Sequence, residues 1–89
     1  MDILATFPSS QAALGAERAL LGEGLPVELI PVPTRIHGDC GFCLLVREAG
    51  DTPGCLDRLR ACGARELWRV TPAPSGPTAR KVNTYERIP

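Results

Sequence analysis

"DILATFPSSQAALGAERALLGEG", residues 2–24, decides the fold. Its opening alternates: Ile3, Ala5 and Phe7 fall on one side, Leu4 and Thr6 on the other, the period-two pattern of a strand. The period then changes. Ala13, Ala16 and Leu20 recur at helical spacing and form one apolar stripe, while Glu17, Arg18 and Glu23 are expected to face water. Ser9 or Ser10 supplies the N-cap and Gly24 lies just past the last turn. Gly15 lowers the helix propensity, and the small residues of the stripe predict a helix lying close on a sheet.

Working outward, "PVELIPV" (26–32) reads as a second strand, and Pro31 near its end argues for an edge position or an early stop. "FCLLVRE" (42–48) is a third strand. "DTPGCLDRLRACG" (51–63) is a short helix with Thr52 as cap, Pro53 in the first turn and Gly63 as terminator. "ARELWRV" (64–70) is the fourth strand. The order is β-α-β-β-α-β, the split unit of ferredoxin-like α+β folds: a single sheet with both helices on one face. The other sheet face is left open for a partner or a ligand. Residues 1–71 form the domain. Residues 72–89, with Pro72, Pro74 and Pro77, are an extended or mobile tail in which "KVNTYERI" can add a strand.

A chain of 89 residues supports one domain with one modest core. Ten basic and ten acidic residues are interspersed, so charge gives no reason to expect nucleic acid or an anionic membrane as partner. No apolar run approaches the ~20 residues of a membrane helix. "MDILATF" carries an acid where a signal peptide carries basic residues, so a cytoplasmic location with reduced thiols is expected.

Those thiols are Cys40, Cys43, Cys55 and Cys62. Cys40 sits in the loop "PTRIHGDCG" (33–41), where Gly38 and Gly41 bracket Asp39 and Cys40. Backbone amides converging on a sulfur favour thiolate over thiol, and so do Arg35 and His37; Asp39 opposes them. The plainer reading of the same loop is a glycine-shaped connection holding an inert cysteine. Cys40-Gly-Phe-Cys43 also fits C-x-x-C, a thiol redox couple. A strand follows it rather than a helix, however, and positions 40 and 43 differ by an odd number, so the pair is not expected to bridge readily. Cys43 then points to the face opposite Phe42, with intermediate reactivity. Cys55 and Cys62 share the second helix's stripe with Leu59 and read as core. The paired C-x-x-C spacing of a zinc ribbon is missing, so no metal is expected. His37 reads as a solvated loop residue. One histidine and no serine–histidine–acid spacing leave no hydrolase, and no enzyme is expected.

The segments "TFPSSQAALGAERAL" (6–20) and "GLPVELIPVPTRI" (24–36), with the Cys40-Gly41 pair, resemble the small bacterial and archaeal domains called Putative selenium/sulfur (Se/S) carrier protein-like. The resemblance covers residues 4 to 70. It implies an α/β domain whose Cys40 holds sulfur or selenium as a persulfide or selenosulfide. The atom comes from a donor protein such as a cysteine desulfurase and passes to an acceptor protein, with no cofactor beyond the carried atom. Gly38, Gly41, Arg35 and His37 are the supporting loop. Cys43 stands where the family more often has an apolar residue, which adds a second thiol. Two other functions compete: a redox or sensing module using Cys40 and Cys43, and a regulatory or assembly domain that oligomerises through the open sheet face with incidental cysteines.

Overall fold

The alternation at residues 3–7 does what a strand's pleat requires: Ile3, Ala5 and Phe7 bury on one side of a sheet and Leu4 and Thr6 on the other. In the computed structural model, which describes residues 2–33, 36, 41–47, 54–71 and 84–89, the elements are β1 (Asp2–Thr6), α1 (Ser10–Gly22), β2 (Val27–Pro31), β3 (Phe42–Val46), α2 (Cys55–Ala61), β4 (Glu66–Thr71) and β5 (Thr84–Ile88). They build a mixed α+β fold with one antiparallel sheet of five strands, in the order β2-β3-β1-β4-β5, and two helices.

The sheet's register separates two apolar clusters. Ala5 lies between Leu44 and Leu67, and Ile3 pairs with Val46, which pairs in turn with Val27. This face receives Ala13, Ala16 and Leu20 of α1 and Cys55 and Leu59 of α2 in one core cluster. The small residues of α1 are the ones that meet the sheet; Gly15 is exposed and takes no part. Burying side chains of this size removes each from water at a gain of roughly 1.5–3 kcal/mol for the larger ones.

The helix ends follow local chemistry. Ser9 caps α1, its Oγ accepting the Ala12 amide at 3.1 Å. At the other end Gly24, at φ 83°, lets the Leu25 amide reach back to the Leu20 carbonyl at 3.0 Å. α2 ends the same way: Gly63, at φ 94°, passes the chain on so that the Ala64 amide donates to the Leu59 carbonyl at 3.1 Å. Its start differs from expectation. Gly54, left-handed at φ 75° and without a side-chain cap, holds the cap position instead of Thr52, which lies outside the described residues along with Pro53. A bidentate ion pair between Arg58 and Glu23 ties the C-terminal turn of α1 to α2.

β5 extends the sheet beyond β4, with Tyr85 opposite Val70 and Ile88 opposite Leu67. Thr84–Ile88 is thus a strand, the option that "KVNTYERI" left open. Ion pairs Arg69–Glu86 (3.7 Å) and Arg87–Glu66 (3.5 Å) span the β4–β5 ladder. No helix among the described residues is long and apolar enough to cross a membrane.

Candidate thiol site

The cysteine-bearing loop springs from the β2–β3 hairpin. Pro31 pairs with Phe42, and the Val32 amide donates to the Gly41 carbonyl at 3.1 Å, closing the stem one residue before Cys40 is reached from the β3 side. Arg35, His37, Gly38, Asp39 and Cys40 lie outside the described residues; Gly41, Ile36 and Cys43 lie within them.

Gly41 is a stem residue. Its φ is not in the left-handed region, and a Cβ added there meets nothing within 4 Å. Its backbone contribution, the carbonyl that accepts Val32, is one any residue can make.

Ile36 is the residue the sequence reading passed over. Its amide donates to the Pro33 carbonyl at 3.0 Å, and its side chain buries with Leu4, Cys43 and Val70 on the helix-free face. A lone large apolar residue within an otherwise polar loop was the available signal. Ile30, Val32, Leu45, Trp68 and Tyr85 pack around this second cluster. The helix-free face is thus a packed minor core and not the open surface expected, with Leu4 only 1% exposed. On it the Trp68 indole N–H is buried with no acceptor among the described residues.

The side of the sheet predicted for Cys43 is correct, and its surroundings are not. Its side chain points away from the helices but is 0% exposed, with Sγ 3.9 Å from the Pro31 carbonyl oxygen. Intermediate reactivity does not fit a thiol so enclosed. Phe42, on the helix side of β3, is by contrast 43% exposed. Cys55 is buried under α2, and burial pushes its thiol pKa up, holding it protonated. Cys62, at the C-cap of α2, is half-buried and packs against the edge of the core cluster it was expected to join. Among the described residues, no three His, Cys, Asp or Glu side chains gather as metal ligands would.

A second departure concerns Glu17. Expected to face water, it turns its carboxylate to the sheet, where Oε2 accepts the Leu29 amide of β2 at 3.1 Å.

No curated protein and no solved structure matches the chain. A family model does: it matches residues 2–63, a span that takes in β1 through α2 and the whole cysteine-bearing loop, and by it the chain belongs to the family described as Putative Se/S carrier protein-like.

Proposed function

We propose that the protein is a sulfur or selenium carrier that holds the atom on Cys40, as its family's name suggests. The observation that carries the reading is the family match across residues 2–63, which includes Cys40. The burial of two of the other thiols supports it: Cys43 and Cys55 are withdrawn from solvent and Cys55 is held as a thiol. The Cys40 thiolate attacks the outer sulfur of a donor's persulfide. A new S–S bond forms to Cys40, the donor's S–S bond breaks, and the donor leaves as a thiolate; no net oxidation occurs. With a selenosulfide donor the same displacement moves selenium. Transfer onward repeats the step with an acceptor thiolate. Arg35, His37 and the backbone amides next to Cys40 in sequence favour the attacking thiolate.

Such chemistry belongs in a reducing compartment, so we place the protein in the cytoplasm. Its partners on this reading are a donor such as a cysteine desulfurase and an acceptor protein, with no role for nucleic acid or membrane. We also read β2-β3-β1-β4 as a ferredoxin-like arrangement to which β5 is added. The enclosure of Cys43 beneath Ile36 favours the carrier over a Cys40–Cys43 redox couple. Intact-mass measurement after incubation with a cysteine desulfurase and cysteine, and separately with the same enzyme and selenocysteine, which leaves the donor carrying a selenosulfide, tests the proposal. The expected product is one added sulfur or selenium per chain; a mass that never changes removes the carrier reading.

A further inference from the structure

An open sheet leaves alternate backbone groups unpaired along each outer strand, and this sheet finishes its two edges differently. The ladder from β2 to β3 is flanked by Arg47 N–H donating to the Pro26 carbonyl (3.3 Å) and Val32 N–H donating to the Gly41 carbonyl (3.1 Å). Antiparallel pairing alternates, so Val27, Leu29 and Pro31 turn their backbone groups outward. Every outward donor there is closed. Val27 N–H reaches the Leu25 carbonyl at 2.9 Å, Leu29 N–H reaches Glu17 Oε2 at 3.1 Å, and Pro31 has no N–H.

The same alternation, carried across β3, β1 and β4 by their registers, puts Thr84, Glu86 and Ile88 in the β4–β5 ladder. Tyr85 and Arg87 then turn N–H and C=O outward. Among the described residues nothing bonds these four groups. The β5 edge is therefore chemically competent for strand addition, where the β2 edge is not.

We propose that β5 pairs antiparallel with β5 of a second copy, about a two-fold axis through Glu86, joining two sheets into one. This register matches the outward groups of β5. Tyr85 of each copy meets Arg87 of the other, and each such pair exchanges both of its backbone bonds, so all the outward groups of both residues are used. On the helix-free face the Tyr85 ring lies beside an arginine, a cation–π pairing, and on the helix face Thr84 meets Ile88. Two-fold pairing also leaves each copy's remaining edge as β2, the closed one. One contact opposes the dimer: Glu86 faces its own copy, relieved by Arg69 Nη1 at 3.7 Å in each chain. The contact is short, so the dimer is weak and depends on concentration.

Sedimentation of the full chain from micromolar to millimolar concentration tests this. The mass rises from one chain toward two, and Glu86→Gln shifts the rise to several-fold lower concentration. Arg87→Pro removes an outward amide but no β4 ladder bond, so it stays monomeric with unchanged circular dichroism. Hydrogen exchange on the unaltered chain reads the same edge without mutation: Tyr85 and Arg87 amides slow as concentration rises, while the Glu86 amide does not change. A single-chain mass throughout, a dimer that survives Arg87→Pro, a weaker dimer with Glu86→Gln, or Tyr85 and Arg87 amides indifferent to concentration would each overturn the proposal.

Discussion

Cys43 is a structural thiol on this account, and replacing it separates packing from chemistry. The side chain is fully enclosed beside Leu4, Ile36 and Val70, with Sγ 3.9 Å from the Pro31 carbonyl oxygen. Cys43→Ser keeps nearly the same shape but puts a hydroxyl where that carbonyl is too far for an O–H bond, at a cost of about 1–3 kcal/mol. Cys43→Ala loses only the sulfur's contacts and leaves a small void, costing about 1 kcal/mol. The polar, shape-conserving variant is therefore the less stable of the two. In a domain of this size each kcal/mol lowers Tm by about 4–8 °C, so thermal denaturation followed by circular dichroism should rank native above Ala above Ser, with Ser roughly 4–24 °C below native. Serine as stable as the native chain, or above alanine, would mean that the hydroxyl finds a partner and that the helix-free cluster is polar at Cys43. That result would refute the minor-core reading.

Three other outcomes follow from particular residues. Burial raises the Cys55 pKa, so the folded chain keeps this proton after the unfolded chain has lost it; stability is full below the ordinary thiol pKa and falls as pH rises through the folded value. Denaturation midpoints that drop above about pH 8.5 in the native chain, and drop less in Cys55→Ala, check this. Glu23 behaves oppositely. The Arg58 hydrogen bond holds its pKa below the usual carboxylate range, so its contribution is present at neutral pH and lost as pH falls through the folded value. Acid titration of stability should flatten in Glu23→Gln. Finally, Gly63→Ala forces a side chain into φ 94° and should cost about 1–2 kcal/mol in urea denaturation, whereas Gly41→Ala should be close to neutral.

The sequence declared the parts of the fold whose signals are local. The alternation of Ile3, Ala5 and Phe7, the Ser9 cap and the stops at Gly24 and Gly63 each act within a few residues, and each element they delimit is present. β5 was harder to read because Thr84, Glu86 and Arg87 are exposed and show no apolar alternation; its strand exists through pairing with β4. Glu17 looked solvent-facing because helical spacing says nothing of an edge amide on another strand. The same limit hid the minor core. Parity assigned Cys43 to the correct face, but the burial of that face comes in part from Ile36, a contact that no periodicity encodes. At the site itself, the residue pattern singled out Cys40 as the loop thiol; Arg35, His37, Gly38 and Cys40 lie outside the described residues.

We propose a single carrying thiol, Cys40, for the sulfur or selenium. The direct measurement is intact-mass loading by a cysteine desulfurase, compared across Cys40→Ser, Cys43→Ala, Cys55→Ala and Cys62→Ala, each first shown to be folded by circular dichroism. Loading is lost in Cys40→Ser alone and retained in the other three. Undiminished loading of folded Cys40→Ser would contradict it.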